Sequence, residues 1–344
     1  MQTSRLPLVS YTLLLGMILG GSILAALFYG AYQISIGDVL NALMGQGTAS
    51  ENFLILQIRL PRILLTALTG MGLAISGAAI QGVFRNPLAD QTLIGVTSGA
   101  SLFAVLAIVL MGTFLAEIAE VLKQSTVALF AFTGGFLTTY LVYFLSREQG
   151  RTNVMTMLLA GIAISAFAAA ISGVFIYMSD DQQLRDITFW TMGSFSGAGW
   201  VHVGIAAPIM ILGCLFLTRY SRALNAFLLG EKEAMYLGFD VEKVKSRAIF
   251  FTALMIGVCT SMCGLIGFVG LVVPHFLRLL QGPDNRYLLI GSALSGAIFL
   301  VWTDTLARTI IAPGELPIGI LTASIGAPFF LWLLINRQQE NELV

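Results

Sequence analysis

Nine long runs without a single Asp, Glu, Lys or Arg divide this chain: 6–37, 63–84, 91–116, 124–146, 152–179, 187–218, 248–277, 287–303 and 316–336. Most exceed the roughly 20 residues that a helix needs to cross a bilayer core. None alternates apolar and polar residues as a barrel strand does, which argues against a barrel. Charged residues make up 10% of the 344 residues, against about 25% in soluble domains. The chain is therefore expected to be an all-α, polytopic membrane protein forming one transmembrane domain over 1–344. The first run is too long and too glycine-rich for a signal-peptide core and is counted as a span.

One stretch is the exception. Arg219 to Arg247 carries ten of the thirty-six charged residues. Within it, Glu231–Leu237 favours helix and ends at Gly238, and Asp240 is placed to cap a second helix through Val241–Lys245. A short polar helix–Gly–helix between spans is a handle for a partner; the plain alternative is a solvated loop.

The distribution of Lys and Arg sets the span count. With 219–247 in the cytoplasm, the loops at 180–186, 117–123 and 59–62 fall outside, and 147–151, 85–90 and the N-terminus inside. If 248–277 is one span, 11 cations lie inside and 7 outside; if it is two, 13 lie inside and 5 outside. Gly264, Gly267, Gly270 and Pro274 supply the break for two, over about 245–263 and 266–280. Ten spans with both termini cytoplasmic follow.

Local signals fill in the pattern. Ser35 is placed to cap a short amphipathic helix on the outer surface. The second span starts at Arg59-Leu60-Pro61-Arg62 and sets Gly70, Ala74, Ala78 and Gly82 four apart, a small-residue stripe that lets another helix approach closely. It stops at Arg85-Asn86-Pro87, because Asn-Pro disfavours helix. Residues 180–186 read as a polar outer loop.

Several functions are excluded. There is no Gly-x-x-x-x-Gly-Lys-Ser/Thr loop, so nucleotide hydrolysis belongs to another chain. Charge-free spans do not suit a proton- or ion-coupled carrier. Zero net charge offers no case for nucleic acid. Cys214, Cys259 and Cys263 form no disulfide framework or metal pair, and no metal site is expected. His202 and His275 are isolated and read as structural or interfacial. Asp304 and Arg308, four apart at a helix end, suit a local pair. The glycine-rich irregularities at 86–95, 193–199 and 264–274 suit a lined pathway better than a purely structural protein.

Arg59-Leu60-Pro61-Arg62, Gln81-Gly82, Arg85-Asn86-Pro87-Leu88-Ala89-Asp90 and Leu93-Ile94-Gly95-Val96 with Ser98-Gly99-Ala100 resemble the first half of the ferric-siderophore, haem and vitamin B12 permeases of type II ABC importers. Gly267-Phe268-Val269-Gly270-Leu271-Val272-Val273-Pro274-His275 with Arg278, and Glu315-Leu316-Pro317-Ile318-Gly319 through Gly326-Ala327-Pro328, resemble the second half. The resemblance covers nearly the whole chain.

It implies a dimer of permeases, here of identical chains, in the bacterial inner membrane. Two ATP-binding cassette ATPase subunits would sit below and a substrate-binding protein above. ATP and Mg would be held by the ATPase, and this chain would hold no cofactor. The segment Gly230, Glu231, Glu233, Ala234, Leu237 and Gly238 matches the family's coupling helices. Arg59, Arg62 and Arg308 would meet acidic residues of the binding protein, with headgroup anchoring as the alternative. Asn86 and Leu88 match the cytoplasmic gate. Met155, Met157 and Tyr177 would line the pathway, with helix packing an equally good account of the methionines. The run Tyr177 to Ser194 ranks haem first as cargo, a ferric siderophore second and vitamin B12 third.

Overall fold

The computed structural model describes residues 7–30, 32, 34–114 and 120–342. Part of the outer loop expected at 117–123, and the first six residues, lie outside them. After α1 (Leu8–Phe28) comes α2 (Ile36–Leu43), capped as expected by Ser35, whose hydroxyl accepts from the Asp38 N–H. The short α3 (Ala49–Asn52) then runs through a π-helical stretch (Phe53–Arg59) into α4 (Leu60–Phe84). The second span thus begins earlier than the Arg59 read from sequence. Pro61 has no N–H to give the Gln57 carbonyl, and the wider π turns absorb that missing bond.

Arg85 closes α4 in the left-handed region (φ 51°), and a 3₁₀ turn (Gln91–Ile94) leads into α5 (Val96–Phe114) and α6 (Glu120–Leu145). A two-residue hairpin, β1 (Arg147–Glu148) and β2 (Arg151–Thr152), connects to α7 (Val154–Tyr177).

The segment read as a polar loop at 180–186 is instead the first half of α8 (Asp181–Met192). Asp180 accepts from the Gln183 N–H at 2.8 Å while Gln183 Oε1 accepts from the Asp180 N–H at 3.2 Å, a capping box that starts a helix in a polar sequence. Asp180→Ala is expected to remove about 1 kcal/mol from α8. Amide exchange across 181–184 reads the loss; unchanged exchange would contradict it.

Next come α9 (Trp200–Arg219), α10 (Ser221–Phe227), α11 (Glu231–Tyr236) and α12 (Val241–Cys263). The helix expected over 241–245 is the first turn of α12, capped by Asp240 accepting from the Lys243 N–H at 3.1 Å. The break at Gly264 separates α12 from α13 (Val269–Gln281), and α14 (Asn285–Thr309) and α15 (Ile318–Glu342) complete the chain.

Among the described residues, seven helices are long and apolar enough to cross a membrane, and Val96–Met111, Val269–Gln281 and Ile318–Leu333 are shorter apolar helices. The 13 residues of α13 rise only about 20 Å, two thirds of an apolar core.

The packing centres on α4, which is buried on nearly every face. Small residues make this possible, both in the stripe and beside it at Gly77. A Cβ on Gly70 would lie 2.2 Å from the Gly296 carbonyl oxygen of α14, and one on Gly77 would lie 1.8 Å from the Gly270 carbonyl oxygen of α13. Gly82 faces Leu224 of α10. The connections sort to two ends. Arg85, the hairpin, α10, α11 and the Asp284–Asn285 corner gather at one, where Asn225 Nδ2 donates to Asp284 at 2.7 Å. The turn before α2, the π stretch and the end of α14 gather at the other.

Candidate functional site

At the first end, α10 and α11 form a ledge. Gly230 takes a backbone conformation (φ 136°) that L side chains rarely adopt, and this, rather than the movable Glu233 carboxylate 1.9 Å from where a Cβ would lie, calls for glycine. Ala234 is fully buried and seats α11 on the core. The outer face is apolar and bare: Leu229, Tyr236 and Leu237 are 70%, 89% and 60% exposed. Gly238 (φ 87°) ends the helix as the sequence indicates.

Beneath the ledge lies a residue that sequence reasoning missed. Lys245 is 1% exposed, and its ammonium donates to Glu231 Oε2 at 2.7 Å and to the Thr152 carbonyl at 3.1 Å. Glu242 accepts from Thr152 N–H at 3.0 Å and from its hydroxyl at 2.8 Å. Glu231 also faces Arg85 at 3.9 Å. The hairpin is held in turn by Glu148, which accepts from Thr156 at 2.7 Å and Asn153 at 3.1 Å. Those two donors hold the Glu148 carboxyl below the ordinary carboxylate range.

Asn86 and Leu88 lie in the turn after α4. The Asn86 side chain accepts from the Leu88 N–H at 2.9 Å, a local turn that leaves Asn86 exposed and Leu88 half-buried. A cavity of about 960 Å³ opens beside this turn, bounded by Arg85, the hairpin, Met155 and Glu231.

On α7, Met155 is 65% and Tyr177 91% exposed, whereas Met157 is fully buried in the main core. Two helix positions lie about 200° apart, so Met157 turns inward when Met155 turns out, and core packing, the other account of the methionines, describes the surroundings of Met157.

At the opposite end, the three arginines expected to meet acidic residues of a binding protein are buried and partnered within the chain. Arg59, Arg62 and Arg308 are 4%, 8% and 5% exposed. Arg59 donates to the Leu27 carbonyl at 2.7 Å and to the Tyr32 carbonyl, tying the end of α1 to α4. Arg62 pairs with Asp304 at 2.9 Å and Glu315 at 2.8 Å, and Arg308 pairs with the same Asp304 at 3.2 Å. Burial follows because bare guanidinium groups at the rim of an apolar bundle take every acceptor within reach. Three cations face two carboxylates, leaving the cluster one positive charge in excess. Asp304 and Glu315 were not singled out as its counter-ions; only the four-residue spacing of Asp304 and Arg308 signalled part of it.

Between the two ends the irregular segments meet. Ser194 N–H donates to the Cys263 carbonyl at 2.9 Å and Ile318 N–H to the Gly193 carbonyl at 3.2 Å. A Cβ on Gly264 would lie 2.1 Å from the Trp190 carbonyl oxygen. Broken helices with satisfied backbone inside an apolar bundle are tolerated where they are enclosed by protein or line a passage.

These features together define a multi-pass helical membrane transport protein. The match to the FecCD transport family covers residues 13–336, and the chain belongs to that family. The hemin transport system permease protein HmuU of Yersinia pestis is 44% identical over 286 residues, 83% of this chain and 84% of that relative. The cobalamin import system permease protein BtuC of Halobacterium salinarum is 41% identical over 281 residues, 82% of this chain and 73% of that relative. A solved structure described as an inward-facing metal-chelate type ABC transporter superposes with a TM-score of 0.83 at 32% identity, covering 94% of this chain and 98% of that one.

Proposed function

We propose that this chain is the permease subunit of an ATP-driven importer that moves an iron chelate, haem first, inward across the bacterial inner membrane. The observation that carries the reading is the exposed apolar ledge of Leu229, Tyr236 and Leu237 at the charged end of the bundle. Such a patch on a polar surface fits a protein partner, and in this reading the partner is one of two ATPase subunits that hold ATP and Mg. Gly230, Glu231, Glu233, Ala234, Leu237 and Gly238 form the seat. Ten spans, α8 being an added half-helix, put both termini on the ATPase side. A second identical chain completes the pathway, with Met155 and Tyr177 toward it and Asn86 and Leu88 at its inner mouth.

Haem ranks first because the Tyr177–Ser194 segment resembles haem permeases and a hemin permease is 44% identical. The second reading, a cobalamin or ferric-siderophore importer, is favoured by the 41% identity to a cobalamin permease. Uptake into proteoliposomes containing this chain, its ATPase and its binding protein decides between them. Labelled haem is expected to accumulate without competition from excess cobalamin or ferric chelate; accumulation of either competitor but not of haem would discard the cargo.

The buried arginines alter the docking expectation. An acidic binding protein would have to replace Glu315, the more exposed of Arg62's two partners. Glu315→Gln should therefore tighten binding-protein docking two- to fivefold, about 0.5–1 kcal/mol for a half-exposed pair. Titration by surface plasmon resonance reads this, and weaker docking would remove Arg62 from the interface.

A further inference from the structure

We propose that Lys245 is the positioning residue that fixes the α10–α11 ledge to the start of α7, so that displacement of the ledge is delivered to the hairpin at the inner mouth. This rests on the reading of the ledge as the ATPase seat. A lysine ammonium with 1% side-chain exposure is costly to bury unless every donor has a partner, and here the partners come from separate elements. Glu231 at 2.7 Å is the first residue of α11. The Thr152 carbonyl at 3.1 Å ends the hairpin, one residue before the Asn153 cap of α7. Glu242, 3.9 Å from the ammonium, holds Thr152 a second time through its N–H and hydroxyl.

The far side of the linkage is as tightly tied. Asn153 Oδ1 accepts from the Met155 and Thr156 N–H groups at 3.0 and 3.3 Å, and Asn153 N–H donates to the Ser146 carbonyl at 2.9 Å. Thr152 therefore cannot shift without moving the first turn of α7 and the end of α6. The hairpin and Met155 border the cavity of about 960 Å³ at this end. A push on α11 reaches that border through a chain of charge-assisted bonds, each of which needs the Lys245 charge or the Glu242 carboxylate. Arg85 opposite Glu231 adds a weaker branch to the turn holding Asn86 and Leu88.

Exchange mass spectrometry on the assembled complex in nanodiscs, with and without a trapped nucleotide on the ATPase, tests this together with transport per ATP. In the native complex, nucleotide should change exchange in both 228–238 and 147–156. In Lys245→Met the change should persist in 228–238, fall at least fivefold in 147–156, and cargo moved per ATP should drop at least tenfold. A merely structural lysine would leave the two segments responding together; that result, with native coupling, overturns the proposal. Should Lys245→Met fail to assemble, Glu242→Ala, which removes both Glu242 bonds to Thr152 but keeps the Lys245 contacts to Glu231 and to the Thr152 carbonyl, must at least halve the 147–156 response; a native response there overturns the proposal as well. If 228–238 of the native complex ignores nucleotide, the ATPase-seat reading itself fails, a result distinct from the loss of transmission alone.

Discussion

Asp304→Asn is expected to destabilise the fold by about 3–5 kcal/mol, the cost of leaving a buried ion without its counter-charge. The carboxylate is 2% exposed and serves two cations, Arg62 at 2.9 Å and Arg308 at 3.2 Å. Removing its charge raises the cluster's excess from one to two positive charges. Arg62 keeps Glu315 at 2.8 Å, but Arg308 is left with only long contacts to the Ala26 carbonyl at 3.5 Å and the Thr305 hydroxyl at 3.4 Å. The ends of α1, α4 and α14 should loosen together. Unfolding in mixed micelles, followed by circular dichroism, measures the loss. The double variant Asp304→Leu with Arg308→Met should recover most of it, since no unpaired buried cation then remains. A single variant as stable as the native chain would show that water already solvates the cluster.

Gly77→Ala is expected to be as damaging, for a steric reason. The added methyl would sit 1.8 Å from the Gly270 carbonyl oxygen and 2.6 Å from its Cα. No side chain can move aside, so α4 and α13 must separate and the bond from Gln81 Nε2 to the Gly270 carbonyl, 3.3 Å, stretches. Overpacking costs typically about 1–3 kcal/mol where side chains adjust; two backbones in contact put this case at or above that range. Gly77→Leu should give no folded protein. Gly204→Ala on α9, where a Cβ meets nothing within 4 Å, is the control and should be neutral or slightly stabilising. Folded yield by size-exclusion chromatography separates the three. Equal yields would mean that the two helices have room to slide apart.

Both effects trace back to features that were unequally visible in the sequence. The stripe of Gly70, Ala74, Ala78 and Gly82 announced a close helix approach because small residues four apart lie on one face, and α4 is the buried centre; Gly77 stands off that stripe and was not singled out. Gly264 announced the break before α13 because a positive φ (72°) there suits glycine. The Asp304–Arg308 pair was legible from its spacing. Its extension to Arg62 was not, since 242 residues separate the partners and only the packing of α14 on α4 unites them. Lys245 looked like one more cytoplasmic charge; nothing local reveals that the Thr152 carbonyl, 93 residues away, closes over it. The α8 helix was missed although its signal was present, for Asp180 and Gln183 stand at capping-box spacing and polarity alone made the segment look like a loop. Met155 faces outward and Met157 the core because helix geometry separates two positions that the resemblance carried together.

The central claim is that an ATPase bound at the α10–α11 ledge drives vectorial transport through this chain. Its most direct test is accumulation of labelled haem in proteoliposomes with the binding protein present, comparing ATP with a non-hydrolysable analogue and the native ledge with Tyr236→Asp, Leu237→Asp. Accumulation above the external concentration that requires ATP and is lost in the ledge variant, while that variant still folds, is the predicted result. Equal haem entry with and without hydrolysis, or full ATP-driven uptake by the ledge variant, would contradict it.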